Sequence, residues 1–529
     1  MEIERIISEP VVVAFLDLGT NSIRLLVVRV NPNLSFSVIS RQKEVVRLGE
    51  GEFFEQTLQP EAMQRAAQIC RQFADLARSR QAQEIIAVAT SATREAANQT
   101  EFVQLIKDEA GFDLRVVSGK EEARLIYLGV SSGVNLSNKK ALFIDIGGGS
   151  TETIVGDQHQ YDFLETHKLG AIRLASLFFL PGETGPVDET RYRLIKNYVR
   201  NSVVRTVQRL KEYRIETVIG SSGSITNLAE VAYRRTHERT PGRDFSVSLQ
   251  ELSETIHMLA RLPLAERQEV PGINAFRADI IIPGAAILET LLQELNLTSL
   301  RTSERGLLDG MLVDYLARHD EKHELESLSI RERSVLLLGR SVSFEETHAQ
   351  TVARLALQLF DSAHHAGLHS LNSHDRELLK YAALLHDAGT FISYSNHQAH
   401  SYYLIYHADL LGFDEAEIAV IATTALFHRR TSPGKKHKEF AALDETAQDR
   451  VRVLSLFLRI AESLDRSHVN SVGHVHLEIE DRKTAVLILS AEQDCTLEMW
   501  GVKTHLESFQ KIFGKRLVVK QETDEPSPA

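Results

Sequence analysis

The chain carries two matched turns that contain glycine, and each follows a run of apolar residues. Residues 17–22 read Asp-Leu-Gly-Thr-Asn-Ser after the apolar run 11–16, and residues 145–152 read Asp-Ile-Gly-Gly-Gly-Ser-Thr-Glu after the run 141–144. Each copy predicts a buried strand that ends in a tight turn. Glycines let backbone N–H groups approach a phosphate, and an aspartate at the strand end is placed to hold a divalent cation. Two such turns, 128 residues apart, predict a duplicated clamp around one phosphorylated substrate.

The composition limits the classes of protein to which the chain can belong. With 529 residues it is too long for a single hydrophobic core. Its net charge of −12 argues against nucleic-acid binding. Two distant cysteines, Cys70 and Cys495, predict no disulfide framework. The first residues lack the pattern of a secretory signal and no apolar run is long enough to span a bilayer, so we expect a soluble, cytoplasmic protein without membrane insertion.

Basic residues nevertheless cluster in two segments, 191–214 and 428–438. One interpretation is that they are solvated helix faces and a basic loop. The other is that they form a track for a polyanion, and the sequence leaves both open.

Patterns of strand and helix alternate over the first 320 residues, which predicts an α/β architecture. Long helical patterns then replace the glycine turns, and 17 of the 21 histidines lie beyond residue 318. Strand-like alternation returns near the end of the chain. We predict four domains: two α/β domains at 1–133 and 134–320, a helical domain at 321–472 and a small α+β domain at 473–529.

Two adjacent glutamates, Glu121 and Glu122, open a predicted helix after the strand-like segment 114–118. Acidic residues in a first turn commonly complement the helix dipole and do nothing more. A catalytic role is the alternative.

Five motifs follow one another in the first 320 residues. They are Asp-x-Gly-Thr-Asn-Ser at 17–22, Ala-Thr-Ser-Ala-Thr-Arg ending at Arg94, Ser-Gly-Lys-Glu-Glu-Ala-Arg-Leu-Ile ending at Ile126, Asp-Ile-Gly-Gly-Gly-Ser-Thr-Glu ending at Glu152, and Gly-Ser-Ser-Gly-Ser ending at Ser224. In this order they closely resemble the exopolyphosphatase/guanosine pentaphosphate phosphatase family. The resemblance covers residues 11–318 and implies the actin–sugar kinase–heat-shock ATPase fold, with two ribonuclease-H-like halves around a cleft.

The resemblance also implies roles for particular residues. Glu122 would be the base that orients and deprotonates a water in line with the terminal phosphorus. Mg²⁺, or Mn²⁺ in its place, would be held by Asp145 and Glu152, with Asp17 reaching it directly or through water. The remaining residues would bind the phosphates: Asn21, Ser22, Arg24, Ser91, Arg94, Gly148, Gly149, Ser150, Thr151, Gly223 and Ser224.

The region after residue 320 resembles the HD-type domain of the longer family members. HD phosphohydrolases bind metal with His, His-Asp and Asp in chain order, and all four positions are filled here, by His348, His386, Asp387 and Asp465. His397, His400 and His428 would complete a two-metal site. The alternative is that these residues only pack the helical domain. The Glu-Asp pair that follows His-Asp in stringent-response nucleotide hydrolases is absent from the sequence, so that activity is not expected.

The leading functional hypothesis is a processive exopolyphosphatase that shortens inorganic polyphosphate from its end and releases orthophosphate. Guanosine pentaphosphate 5′-phosphatase activity, alone or in addition, is the alternative. A sensor that binds phosphate or a nucleotide without hydrolysis is disfavoured, because Glu122, Asp145 and Glu152 are all present. The resemblance to longer family members also suggests a homodimer.

Overall fold

A computed structural model of the protein describes residues 7, 9–136, 139–242, 245–320, 328–408, 410–429, 431–491 and 494–521, without the side chains of Phe54 and Glu55. The chain divides into two units, Met1–Ile330 and Arg331–Ala529, which we call the N-terminal and C-terminal units. The four predicted domains are a finer division and stay a prediction.

The first sheet of the N-terminal unit has five strands, with Val11–Leu18 at its centre. This strand is buried along almost its whole length, which explains its continuous apolar run. The two strand pairs on one side of the central strand are antiparallel, and the two on its other side are parallel. The order across the sheet is Phe36–Val45, Ser22–Val30, Val11–Leu18, Glu84–Ala89 and Leu114–Val116.

The second sheet repeats this arrangement and adds one antiparallel edge strand. Its order is Tyr161–His167, Thr151–Gly156, Ala141–Ile146, Thr217–Ser221, Ser299–Thr302 and Ser246–Ser248. Both duplicated turns therefore follow the carboxyl end of a central strand. In α/β sheets this is the edge at which ligands bind.

Helices cover both sheets and bury two separate cores. The first core includes Leu16, Leu25 and Phe102, and the second includes Ile144 and Leu288. In chain order the helices are Glu52–Glu55, Pro60–Ser79, Ser91–Glu95, Gln99–Ala110, Gly119–Ser131, Ala171–Phe178, Glu189–Leu210, Ser222–His237, Leu249–Arg261, Leu264–Gln268, Ile281–Glu294 and Leu307–Arg318, with a 3₁₀ turn at Ala275–Arg277.

Two of these helices, Gly119–Ser131 and Leu307–Arg318, cross with their backbones in contact. The crossing is possible because Gly129 and Gly310 have no side chains. A Cβ atom on Gly310 would overlap the carbonyl oxygen of Leu125. The two helices therefore pack backbone to backbone at this crossing.

We call the elements up to residue 133 the first half of the N-terminal unit and the elements that follow the second half. The helix Leu307–Arg318 follows the second sheet in sequence but packs on the first half. Tyr315 contacts Phe15 of the first central strand edge to face, with ring centroids 5.7 Å apart. Asp314 accepts a hydrogen bond from Arg124 at 2.8 Å. The first half is therefore completed by the last helix of the unit.

The C-terminal unit combines helices with a three-stranded sheet around one core. Leu355 and Phe457 from the helices share this core with Leu487 and Leu517 from the sheet. The sheet order is Val472–Ile479, Thr484–Ala491 and Arg516–Gln521. The helices are Ile330–Ser341, Glu346–His365, Ser373–Leu385, His397–His407, Glu415–Leu426, Lys438–Ala441, Glu445–Leu464, Thr496–Lys503 and Leu506–Phe513, with a 3₁₀ turn at Ala388–Phe391.

Across the part of the chain that the structure describes, every helix is too short or too polar to cross a membrane.

Candidate active site

The two duplicated turns have the same backbone geometry. In the first, the N–H of Gly19 donates to the carbonyl of Ser22 at 3.1 Å, and in the second the N–H of Gly147 donates to the carbonyl of Ser150 at 2.9 Å. The sequence repeat is thus a structural repeat.

The turns meet around a cavity of about 490 Å³ in the N-terminal unit. They are in contact, since a Cβ atom on Gly148 would lie 3.0 Å from the Cβ of Thr20. The predicted site residues that line the cavity are Asp17, Asn21, Ser22, Arg24, Glu122, Asp145, Gly148, Gly149, Ser150 and Gly223. The predicted residues that lie behind this lining are Ser91, Arg94, Thr151, Glu152 and Ser224.

Three buried carboxyl groups, of Asp17, Glu122 and Asp145, line this cavity, and the buried carboxyl group of Glu152 lies outside the lining. The pKa of Asp17 is raised to about 6, chiefly by burial, while the nearby Arg24 lowers it and Asp145 raises it. Burial also raises the pKa of Glu122 to about 7, with a further contribution from Asp17 and Asp145. The pKa values of Asp145 and Glu152 are raised, chiefly by burial, and Glu152 is also affected by the charges of Glu122 and Asp145. Such a cluster concentrates negative charge in a region with little water.

The start of the helix Gly119–Ser131 separates the roles of the two adjacent glutamates. Ser118 caps the helix by accepting from the N–H of Glu121 at 3.2 Å. The Glu121 side chain turns outward and pairs with both ends of the Arg124 guanidinium, at 2.8 and 2.9 Å. Glu122 turns inward and accepts from Nη1 of Arg94 at 2.8 Å. Only Glu122 therefore presents its carboxylate to the cavity.

The strand registers place an acidic or basic partner opposite each aspartate. Asp17 pairs with Arg24 in the first sheet, and Asp145 pairs with Glu152 in the second. Ser221 donates to Asp145 at 2.5 Å, which fixes one carboxylate oxygen and leaves the other for a ligand. The same position in the repeat is thus cationic in one half and anionic in the other.

Unpartnered oxygen atoms of Asp17 and Asn21 suit a divalent cation with oxygen ligands, while the carboxylates of Asp17, Asp145 and Glu152 do not all lie within 4.8 Å of one another in the described structure. Oδ1 of Asp17 and both polar side-chain atoms of Asn21 are buried and lack a hydrogen-bond partner among the described residues. Buried charges in proteins are paired or bind metals. Mg²⁺ prefers carboxylate oxygens and waters. Asp145, Glu152 and Asp17 are the residues that would hold it.

Three residues predicted to bind phosphate have protein partners instead. Arg94 pairs with Glu122, as described above, and also donates to a backbone carbonyl at 3.1 Å. Ser91 donates to Glu95 at 3.0 Å, and Thr151 donates to the carbonyl of Leu169 at 2.6 Å. Phosphate contacts by these three residues stay a prediction. In this structure Arg94 positions the carboxylate of Glu122.

Sequence reasoning missed Arg277, a buried cation that lines the cavity. Its pKa is lowered to about 10, chiefly by burial and then by the nearby Arg24, against the opposing charges of Asp145 and Asp279. No carboxylate in the described part of the chain forms an ion pair with it. Gly223 allows its approach, since a Cβ atom there would lie 2.5 Å from Cζ of Arg277. Arg277 lies in the segment 274–279, which carries no glycine turn, so only the tertiary fold reveals it.

Two family models match this chain, over two successive regions. Residues 26–319 match the model of the Ppx/GppA phosphatase family, and residues 330–507 match the model of domain III of Ppx/GppA phosphatases. The chain belongs to the Ppx/GppA phosphatase family. The predicted family and its two actin-like α/β domains, followed by an α-rich region, are confirmed. The HD-type assignment of that region is not confirmed, because the matching model is the family's own domain III.

Solved structures agree with this membership. An exopolyphosphatase from Cytophaga hutchinsonii is 26% identical with a TM-score of 0.54, over 58% of this chain and 97% of that one. An exopolyphosphatase-like protein is 29% identical with a TM-score of 0.53, over 58% of this chain and 98% of that one. The Ppx/GppA family member from Aquifex aeolicus is 24% identical with a TM-score of 0.50, over 59% of this chain and 100% of that one, and shows the shared fold.

In this Ppx/GppA phosphatase, two basic side chains of the segment 191–214 form ion pairs within the N-terminal unit. In the helix Glu189–Leu210, Lys196 pairs with Glu289 at 2.8 Å and Arg200 pairs with Glu294 at 2.5 Å. The second segment begins at His428, which belongs to a histidine cluster, and its Arg430 lies outside the described residues. These ion pairs favour a structural role for Lys196 and Arg200, and both interpretations stay open for the segment 428–438.

The histidine cluster lies in the C-terminal unit and contains most of the predicted second site. It has two groups whose ligand atoms lie within 4.8 Å of one another, His348 with His386 and Glu462, and Asp387 with His397 and His428. Three helices and the turns that follow two further helices bring these residues together.

Two residues of the predicted second site do not face the cluster. Asp465 lies behind His348 and contacts its Nδ1 at 2.8 Å. His400 is half-buried and belongs to neither group. The acidic residue that faces the histidines is Glu462, which sequence reasoning missed. Its signal was its place one helical turn before Asp465, on the same face of the helix Glu445–Leu464.

Proposed function

We propose that this Ppx/GppA phosphatase is an exopolyphosphatase that hydrolyses the terminal phosphoanhydride of inorganic polyphosphate. One observation carries the proposal. The carboxylate of Glu122 is buried at a cavity bounded by the two duplicated turns, near the carboxylates of Asp145 and Glu152.

The substrate end would be held by donors from both halves. Backbone N–H groups of Gly148 and Gly149 and the hydroxyls of Ser22 and Ser150 suit the oxygens of the terminal phosphate. Arg24 and Arg277, with Lys43 opposite Arg24 in the strand register, supply positive charge for the phosphates behind it.

Hydrolysis would begin with a water held by Glu122. The carboxylate accepts the proton as the water oxygen attacks the terminal phosphorus, and the P–O bond to the bridging oxygen breaks. The electron pair stays on that oxygen, which becomes the new chain end, and orthophosphate leaves. Arg94 keeps the Glu122 carboxylate in position. Mg²⁺, when bound, neutralises charge on the phosphate oxygens.

Guanosine pentaphosphate is the competing substrate, because its 5′-triphosphate ends in the same anhydride. The shared chemistry makes dual activity compatible with this site. Release of phosphate from long-chain polyphosphate and from guanosine pentaphosphate, measured side by side, separates the substrates. We expect a higher kcat/KM for polyphosphate, and a higher value for the nucleotide would reverse the assignment.

Glu122→Gln tests the chemistry directly. We expect kcat to fall by about 10²–10⁴-fold, the usual contribution of a general base, with KM nearly unchanged. Glu121→Gln is the matched control, since that side chain pairs outward with Arg124. The control should retain activity within about fivefold, because a half-exposed ion pair is worth at most about 1 kcal/mol. Near-normal turnover by Glu122→Gln contradicts the proposal.

Metal removal tests the proposed role of Asp145 and Glu152. Chelation should abolish phosphate release, and Mg²⁺ or Mn²⁺ should restore it. Activity that survives complete metal removal contradicts the assigned role of Asp145 and Glu152.

The expected homodimer stays a prediction, which sedimentation velocity of the full chain checks.

A further inference from the structure

The four histidines of the cluster in the C-terminal unit are all held through Nδ1. The Nδ1 atoms of His386, His397 and His428 each contact a backbone carbonyl, at 2.7, 2.9 and 2.7 Å. A carbonyl only accepts hydrogen bonds, so each of these Nδ1 atoms carries the proton. In the neutral rings the lone pair is then on Nε2. Asp465 holds Nδ1 of His348 at 2.8 Å in the same way.

The free Nε2 atoms converge on two carboxylates. In the first group, Oε2 of Glu462 lies 3.2 Å from Nε2 of His348 and 2.9 Å from Nε2 of His386. In the second, Oδ1 of Asp387 lies 3.1 Å from Nε2 of His397 and 3.4 Å from Nε2 of His428. The groups adjoin, because Nε2 of His386 and Oδ1 of Asp387 are 3.7 Å apart.

Protons alone satisfy this arrangement poorly. Nε2 of His397 and Nε2 of His428 face each other at 3.1 Å, with Asp387 beside both. The three acceptor atoms are Nε2 of His397, Nε2 of His428 and Oδ1 of Asp387. A single proton can form a hydrogen bond between two of them, and the third then has no donor. Nε2 of His386 and Oδ1 of Asp387 are buried, and although each lies within about 3 Å of a polar atom of another residue, neither contact has the angles of a good hydrogen bond. A divalent cation satisfies all three ligands of a group at once.

We propose that this cluster binds a pair of divalent first-row transition-metal ions, one in each group. Imidazole and carboxylate together suit ions such as Zn²⁺, Fe²⁺, Mn²⁺ and Co²⁺, whereas Mg²⁺ favours oxygen ligands alone. Three protein ligands per ion leave an open coordination position for water or a substrate oxygen. The side chains of Asp387 and Glu462 are 27% and 26% exposed, so the centre is open to solvent on its carboxylate edge.

The ligand set differs from the one that the sequence predicted. Glu462 is a ligand, Asp465 is a positioning residue that acts through His348, and His400 is excluded. The hydrogen bond from Nδ1 to a carboxylate fixes the ring and strengthens Nε2 as a ligand. The proposal does not depend on polyphosphate hydrolysis in the N-terminal unit.

Cobalt titration of the metal-free full chain tests the proposal. Excess Mg²⁺ is present to occupy the oxygen ligands of Asp17, Asp145 and Glu152, and visible d–d absorption reports Co²⁺ with imidazole ligands. We expect about two Co²⁺ ions per chain. His386→Ala should lose the first ion and His428→Ala the second. His400→Ala is the matched control and should bind both. Fewer than two ions in the wild-type chain, or two ions retained in the folded His386→Ala and His428→Ala variants, overturns the proposal.

Two measurements keep the test decisive if a ligand variant does not fold. X-ray absorption of the cobalt-loaded wild-type chain should show imidazole scattering and a metal–metal distance of about 3.5–4 Å. A shell of oxygen atoms alone, or no metal–metal scattering, overturns the pair. Asp465→Asn should weaken binding of the first ion by about 10–100-fold and leave the second unchanged. Equal affinity of the first ion in this variant contradicts the positioning role.

Discussion

The two halves of the N-terminal unit have the same turn and the same strand register, but they differ in one charge. Asp17 faces Arg24 in the first half, and Asp145 faces Glu152 in the second, at the same spacing in sequence and in the sheet. A cation at this position suits phosphate oxygens, and an anion suits a metal ion. The comparison teaches that a duplicated turn can carry opposite charges at one equivalent position, which under the proposed function would separate phosphate binding from metal binding.

The largest effect should follow from removing the acidic member of this pair. Glu152→Gln keeps the shape of the side chain but removes a charge that would hold the metal. We expect kcat to fall by about 10²–10³-fold, as for other losses of electrostatic stabilisation. The measurement is phosphate release as a function of Mg²⁺ concentration. Thr166→Val, which removes only the hydrogen bond to Glu152, is the milder control. Full activity of Glu152→Gln at ordinary Mg²⁺ concentration would remove the difference between the halves.

Removal of the basic member should act on substrate binding instead. Arg24→Gln loses a charge-assisted interaction worth about 1.5–3 kcal/mol, so we expect KM to rise by about 10–100-fold with a smaller change in kcat. Initial rates over a range of polyphosphate concentrations separate the two constants. A large fall in kcat at unchanged KM would show that both halves serve the chemical step.

The crossing of the helices Gly119–Ser131 and Leu307–Arg318 can be tested through stability. Gly310→Ala places a methyl group against the Leu125 carbonyl, where the two helices cross. Overpacking of this kind destabilises by about 1–3 kcal/mol, which urea unfolding followed by circular dichroism measures. Gly185→Ala is the control, because nothing lies within 4 Å of its added Cβ. Equal unfolding midpoints for the two variants would mean that the helices separate freely.

The smallest effect should come from an ion pair that bridges the halves. Arg47 of the first half pairs with Asp279 of the second at 2.6 Å, and both side chains are about one-third exposed. Arg47→Met should therefore change kcat/KM by less than about fivefold, because such a pair contributes at most about 1 kcal/mol. The difference in kcat/KM between Arg47→Met and the wild-type protein should be smaller still in high salt. A larger or salt-independent effect would give Arg47 a direct role in substrate binding.

The sequence predicts most of the fold because local chemistry determines it. The apolar runs end in glycine turns at Asp17 and Asp145, and both turns form as expected. The residues alone did not distinguish Glu121 from Glu122, since both open the same helix. The family resemblance pointed to Glu122. In the structure, Glu122 turns inward to Arg94, whereas Glu121 turns outward to Arg124.

Sites assembled from distant segments were harder to predict. Arg277 reaches the cavity from a segment without a motif, and only tertiary packing against Gly223 reveals it. Glu462 and Asp465 lie one turn apart on the same helix, so either could face the histidines. The choice depends on how His348 is oriented, and this depends on the packing of another helix.

The return of the helix Leu307–Arg318 to the first half has a consequence for recombining this protein with its relatives. A crossover at the sequence boundary near residue 133 would pair one parent's sheet with the other parent's covering helix. Tyr315 would then face a foreign counterpart of Phe15. Chimeras that exchange residues 307–318 together with the first half keep parental partners matched, so the exchangeable module is discontinuous along the chain.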